Sequence, residues 1–477
     1  MMRDTISRGG GIGRSISLFV SVLILASCGS GQSNRIAITG GLLFDSISER
    51  ARPNTGIIIE KDRIIEVDAD LDEADLKRYR VIELGENEFI MSGMFDLHAH
   101  HTVDLFGRGR VDETNYYSTI FLANGVTSAF SCGEMDPEAM RQARLRIERG
   151  EQTGPRMFNS GPYFGTARPG WNQNITGEEI WAEVDSLAAI GVGGLKAKGI
   201  RSEHLQHLIE AGHAHGLTVS GHLGSGYRRT VNPRDAILMG IDRVEHFLGG
   251  DALTADRSAY ASLVNFDPDS PEFDRIAALY IDNGTFFDAT MSAYGYYGLQ
   301  DPVVFDDFAE ELKYFTPYMQ EILKNRPARR VNDQFETIYH VKRGILKAFF
   351  DAGGSGLITL GTDHSSWGQF ISGFSVHREL HCIVLSGISE AAALKIATIN
   401  AARALKVEER LGTIEPGKLA DIVILEGNPL EDIRNTRRVR LVLKSGEVYV
   451  ARDMLLSVEG MIGPVSEEEE HLWGRSR

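Results

Sequence analysis

The chain has 477 residues, 66 Asp and Glu against 50 Lys and Arg (net charge −16), 42% hydrophobic residues and three cysteines. This balance excludes a disordered or fibrous protein, and an acidic excess without a Lys/Arg cluster argues against a nucleic-acid partner, whose phosphates need a basic face. Three thiols cannot build a disulfide framework, so burial must hold the core, and the length suits one α/β barrel of about 250 residues or more plus a smaller unit.

In chain order, residues 1–27 read as a leader. Arg3, Arg8 and Arg14 precede the largely apolar run Ile16–Ala26, which is shorter than the roughly 20 helical residues a membrane span takes and fits the h-region of a signal peptide. The run ends Leu25-Ala26-Ser27-Cys28, which resembles a bacterial lipobox. The expectation is a lipoprotein signal peptide, lipidation at Cys28, a linker over 28–34, and a protein held by its acyl chain on a membrane of the bacterial cell envelope, facing the periplasm.

Short β-type runs follow at 35–39, 56–60 and 63–67, and similar runs return only at 421–425, 439–443 and 448–450. They predict a composite β-domain, a small sandwich, built from residues 35–90 and 412–455, with a C-terminal tail over 456–477. Between them, residues 91–411 alternate short apolar runs with helical stretches. Candidate strands are Phe89–His100, Val126–Ser131, Arg156–Asn159, Gly194–Lys198, Thr218–His222, Arg243–His246, Thr285–Thr290 and Leu357–Asp363. Eight β/α units predict a TIM-type (β/α)8 barrel, whose site lies at the strand C-termini.

Four of those strands end in metal-binding chemistry. The first ends His98-Ala99-His100, two imidazoles on one face by period-two alternation; the fifth ends in His222, the sixth in Glu245-His246, the eighth in Asp363. Imidazoles and a carboxylate suit zinc and related divalent ions. Glu245 is expected to face outward into the barrel–helix layer, and His101 and His364 to support the ligands or the structure.

Gly93-Met94-Phe95-Asp96-Leu97-His98-Ala99-His100 resembles the opening signature of the amidohydrolase superfamily; residues 240–246, Gly361-Thr362-Asp363 and the blocks at 397–403 and 411–421 resemble its later ones. The similarity spans about residues 35–455 and points to the imidazolonepropionase/prolidase-like branch. It implies two divalent metal ions, zinc first among them, with His98, His100 and Asp363 on one, His222 and His246 on the other, and a bridging lysine carboxylated by CO2. Lys196 and Lys198 share a strand face, so spacing does not choose between them; the family pattern favours a carbamate on Lys196. In this resemblance a hydroxide held by the metals attacks an amide carbonyl, with Asp363 as the catalytic proton acceptor and donor.

Deaminases of the superfamily often carry a Glu three residues after the strand-five histidine; here that position is Ser225, which favours hydrolysis of an acyclic amide. The loop Leu223–Arg229 offers Tyr227 with Arg228 or Arg229 as a grip on a substrate carboxylate. After strand three, where relatives often place a histidine, the chain reads Gly165–Trp171, which unsettles any inherited preference. Tyr294, Tyr296 and Tyr297 are an aromatic cluster for a pocket or for packing a helical insertion over 303–350, where Phe308, Leu312 and Phe315 have helical spacing; Glu467–Glu470 reads as a solvated end.

The resulting expectation is a metal-dependent hydrolase of an amide or peptide bond in a dipeptide or N-acyl amino acid-like substrate. A mononuclear cyclic-amide hydrolase or deaminase is the second reading, a non-catalytic envelope binding protein the third. Oligomeric state is open, a homo-oligomer included.

Overall fold

The computed structural model describes residues 35–298, 311–326, 332–364 and 371–474. The expected leader, Cys28 and Phe308 lie outside the described residues.

Both chain ends build one sheet. Strands Arg35–Leu43, Arg52–Pro53, Ile57–Glu60, Arg63–Val67 and Arg80–Ser92 join Ile422–Leu425, Val439–Lys444 and Glu447–Val450 in a single eight-stranded array. The joint is the antiparallel pairing of residues 422–425 with 89–92. Alternation explains its two faces: Ile38, Ile57, Ile59, Ile90, Ile422 and Ile424 pack into the sheet's own core, whereas Phe89, Met91, Val423 and Leu425 point into the main core below the neighbouring strands. The hydrogen-bond ladders join the strands of both chain ends in one array lying on the larger unit.

The larger unit is a TIM-barrel-like α/β fold. Its strands are β1 (Met94–Ala99), β2 (Val126–Ser131), β3 (Arg156–Asn159), β4 (Gly194–Lys198), β5 (Thr218–His222), β6 (Arg243–Glu245), β7 (Phe286–Asp288) and β8 (Ile358–Thr359). All pairings are parallel, in one sheet of β1–β3 and one of β4–β8. Single backbone hydrogen bonds cross the two seams: Gly193 N to Asn159 O (2.8 Å) and Phe164 N to Lys196 O (2.9 Å) on one side, Leu97 N to Leu360 O (2.9 Å) and Asp363 N to His98 O (3.0 Å) on the other. The intervening helices start where side chains satisfy their first N–H groups. Thr176 and Glu179 form a reciprocal cap on Gly177–Ala189, whose Ile180, Val184 and Leu187 face the strands, and Asp136 with Pro137 opens Pro137–Glu148.

Three boundaries differ from expectation. The run Phe89–His100 is two strands, because Gly93 turns the chain from the end sheet into the barrel; its N–H donates to Asp421 O (2.9 Å), and a Cβ there would meet the Thr127 side chain at 2.1 Å. In the insertion, Leu312–Tyr314 is one 3-10 turn and Phe315 is extended before the helix at Pro317–Lys324, so the helical spacing of Leu312 and Phe315 is not realised. The tail is not merely a solvated end: Ile462 bridges to Phe315, and Glu470 accepts from Tyr318 (2.7 Å) and pairs with Arg108 (3.2 Å). Among the described residues no helix is long and apolar enough to cross a membrane.

Candidate active site

The C-terminal ends of the barrel strands converge on one polar centre inside an otherwise apolar core. His98 and His100, two residues apart on β1 and its end, both reach Asp363 Oδ1 through Nε2, at 3.3 and 3.0 Å. His246 Nε2 stands 3.8 Å from Asp363 Oδ2, and its ring lies 4.2 Å from that of His222 and 5.1 Å from that of His98. Lys196, fully buried on β4, is in ion-pair contact with Glu245, whose other neighbours are His98 Nδ1 (3.6 Å) and Cys132 Sγ (3.4 Å). The six residues expected to ligate metal thus lie around one centre.

Glu245 corrects the expectation that it faces outward. It is fully buried and points into the barrel, because Arg243 and Glu245 are the inward pair of β6 (3.7 Å apart) and Val244 faces the helices. The strand ends at Glu245, and His246 turns inward only by leaving it with φ +68°. Thr290 (φ +49°) and Asp363 (φ +52°) take the same left-handed conformation at their strand ends, one that costs a non-glycine residue roughly 1–3 kcal/mol and persists where the surroundings over-determine it. Those surroundings are visible. Thr290 Oγ1 holds His246 Nδ1 (2.6 Å), Lys342 Nζ donates to His246 O (2.6 Å), and buried Asp96 accepts from Thr362 Oγ1 (2.7 Å), Thr362 N (3.1 Å) and His98 N (3.0 Å). His364 meets Ser292 Oγ (3.0 Å), and His101 packs on Phe121 (ring centroids 4.9 Å apart).

The electrostatics favour cation binding. Burial holds His98, His222 and His246 well below the ordinary imidazole range, with the Lys196 charge adding to the effect at His98, so these rings are neutral donors. Burial lowers His100 to about 4 and Lys196 to about 8. Burial alone would raise Asp363, but the facing His98 and His100 hold its carboxyl well below the usual range. Buried His98 Nδ1, His222 Nδ1, His246 Nε2 and both Asp288 carboxylate oxygens have no hydrogen-bond partner among the described residues. Each such orphan costs roughly 1–3 kcal/mol. Gly361 permits the crowding, since a Cβ there would meet Asp288 Oδ2 at 1.9 Å and His98 Cβ at 2.6 Å. His98, His100 and Asp363 place one donor atom each within 4.8 Å of one another, and His98, Glu245 and His246 do the same, so the residues present fit a divalent ion.

A cavity of about 400 Å³ opens beside His222. Tyr227 and Arg228 line it, Arg228 with φ +54° and its guanidinium 5.1 Å from the Tyr227 ring centroid. Arg229 is not among the lining residues. Ser225 donates to Arg257 O, a structural use of the position where a deaminase's Glu would stand. Thr166 and Ala167, from the loop after β3, also line the cavity. Tyr294 lies 6.1 Å from His246 and stacks on Phe335 (5.6 Å), while the side chains of Tyr296 and Tyr297 lie outside the described residues.

Sequence reasoning missed Asp96, Asp288, Tyr260 and Lys342. Tyr260, whose hydroxyl is 3.5 Å from His222 Nε2, sits on a short helix between β6 and β7 that carries no motif. For Lys342 a signal existed: it interrupts the apolar stripe Ile338, Ile345, Leu346 and Phe349 of helix Asp333–Asp351.

Comparison with known proteins agrees with this geometry. The sequence profile of the Amidohydrolase family matches residues 340–449, which contain Asp363. Adenine deaminase 4 of Rhizobium meliloti (strain 1021) is 45% identical over 67 residues, 14% of this chain and 10% of that protein. Imidazolonepropionase of Picrophilus torridus is 62% identical over 34 residues, 7% of this chain and 9% of that protein. The chain thus matches about a tenth of the length of these curated relatives. In three dimensions it is similar to a Xaa-Pro dipeptidase solved with methionine in its active site (TM-score 0.64, 20% identity, 87% of this chain and 100% of that one). The family match is confined to residues 340–449, and the solved structures, at about 20% identity, share the fold.

Proposed function

We propose that the protein is a metal-dependent hydrolase that cleaves an amide or peptide bond in a small carboxylate-bearing substrate, such as a dipeptide or N-acyl amino acid. The observation that carries this reading is the meeting of His98, His100, His246 and Asp363 around unpartnered buried nitrogens, beside a cavity edged by Tyr227 and Arg228. His98, His100 and Asp363 would hold one ion, His222 and His246 a second, with zinc the first candidate for both and a carboxylated Lys196 between them. When bound, such ions lower the pKa of water and polarise an amide carbonyl.

The chain's own residues supply the rest. Asp363, kept ionised by its imidazole neighbours, takes a proton from the attacking water and passes it to the departing nitrogen. Water and amide thereby become a carboxylate and an amine. Thr362 and Asp96 hold the β8 end against β1, which keeps Asp363 over His98 and His100. At about 8, the Lys196 ammonium gives up its proton readily, and the neutral amine is the form that adds CO2, releasing one proton as the carbamate forms. Cys28, seven residues before the first strand, would carry the lipid anchor in the periplasmic envelope.

The Lys196–Glu245 ion pair favours a second reading, in which an unmodified lysine leaves one metal and the enzyme opens a cyclic amide or deaminates. Metal-loaded protein tested on dipeptides, N-acyl amino acids, cyclic amides and aminopurines separates these readings. Hydrolysis confined to acyclic amides, lost by about 10³-fold in Asp363→Asn with metal retained, supports the first; turnover confined to cyclic amides or aminopurines overturns it in favour of the second.

A further inference from the structure

The two lysines of β4 have different surroundings. Lys196 pairs in register with Ser220 and is fully buried against Glu245, whereas Lys198, two residues nearer the strand end, pairs in register with His222 and is half-buried in the cavity wall. Partners in a parallel ladder stand about 4.8 Å apart with side chains on the same face, so the Lys198 stem rises beside the His222 ring. Its ammonium lies 5.7 Å from the Tyr163 ring centroid, and among the described residues no carboxylate comes within ion-pair distance of it.

The cavity's charge is one-sided. Among the described residues, Lys198 and Arg228 are its two cationic lining residues and no Asp or Glu lines it, although acidic residues outnumber basic ones by 66 to 50 in the chain as a whole. Arg110, on the loop after β1, adds positive potential felt at Lys198, His100, Tyr163 and Tyr260. Leu223, Phe247 and Tyr260 give the remaining wall an apolar, aromatic character. An anion with an apolar side chain fits such a wall.

Resting on the hydrolase reading above, we propose that Lys198 is a specificity-determining residue whose ammonium receives a carboxylate borne one carbon from the scissile amide nitrogen, selecting N-acyl amino acids and dipeptides over uncharged amides. The placement sets the reach. A group received beside His222 must lie within a few bonds of a carbonyl held at the histidine cluster, which suits an α-carboxylate and not one at the far end of a long chain. Arg228, exposed at the cavity's rim, is placed for the outer part of the substrate.

The test compares N-acetylphenylalanine with N-acetylphenethylamine, which differ only in the carboxylate. Zinc-loaded protein is assayed for hydrolysis of both, and their dissociation constants are measured by calorimetry in an Asp363→Asn background that leaves them uncleaved. The expected result is at least tenfold tighter binding of the carboxylate compound by the parent, a preference reduced to within about twofold in Lys198→Met and retained in Lys198→Arg. No preference in the parent overturns the assignment. So does a preference that survives Lys198→Met, or one that only Arg228→Ala removes. Carboxylate-selective binding that depends on Lys198, without hydrolysis of any amide, would leave Lys198 in place and overturn the hydrolase reading instead.

Discussion

The end-built sheet and the barrel's strand ends bury their polar groups in opposite ways. In the sheet, Ile38, Ile59, Ile90, Ile422 and Ile424 face one another, and the backbone groups are spent on a continuous ladder from residues 447–450 to 63–67. At the strand ends, neutral imidazoles, the Asp288 carboxylate and the Lys196–Glu245 pair are buried together, three non-glycine residues adopt left-handed backbone, and several donor atoms are unpartnered. The first region is complete as it stands. The second costs stability in the absence of a ligand, and that contrast is what identifies it as the functional region.

Substitutions in the two regions should therefore separate cleanly. Asp363→Asn keeps the shape of the side chain but removes the proton acceptor and an anionic donor, and kcat/KM on a cleaved amide should fall by about 10³-fold or more with the thermal transition little changed. Retained activity would break the contrast. Ile424→Ala in the sheet should do the reverse, lowering unfolding free energy by about 2–5 kcal/mol in a denaturant titration while metal content per folded chain stays constant. Loss of metal from folded Ile424→Ala protein would show that the regions are not independent. Arg228→Ala, at the exposed rim, should raise KM by about threefold whether or not the substrate carries an α-carboxylate, with kcat nearly unchanged; a fall in kcat instead would place Arg228 at the reacting atoms.

A further effect concerns a histidine in neither region. His377, on helix Ser375–Leu385, is buried between Thr436 (3.0 Å) and Asn124 (3.2 Å), and burial holds it down to about 3. Because the folded value lies below the ordinary 6.5, its contribution is fully present above pH 6.5 and is lost as pH falls toward 3, while the unfolded chain takes up the proton first. Unfolding free energy followed from pH 6.5 down to 4 should drop less steeply in His377→Gln, by up to about 1.4 kcal/mol per pH unit. An unchanged slope would mean that other buried histidines, such as His101 and His364, carry the acid sensitivity.

Much of this was legible in the chain. Five of the eight barrel strands have the predicted ends or lie within one residue of them, because each is a short apolar run bounded by turn residues, and His98, His100, His222 and Asp363 were readable as the last residues of such runs. What escaped depends on where a strand stops and on what lies beside it. Glu245 faces inward since β6 ends one residue early and the next residue is left-handed, which period-two counting does not register. Lys196 and Lys198 are equivalent by periodicity and become distinct only through their β5 partners. Tyr260 reaches His222 from an insertion whose placement is tertiary, and the end sheet's second face became visible only when residues 89–92 and 422–425 were seen to lie on the barrel.

On the proposed function, the strand ends would hold a pair of divalent ions with Lys196 between them. Metal analysis of purified protein after zinc loading, alongside Lys196→Ala, tests it most directly. Two equivalents per chain are expected in the parent and a sharp fall, to one or fewer, in the variant. A single equivalent unaffected by Lys196→Ala would contradict it.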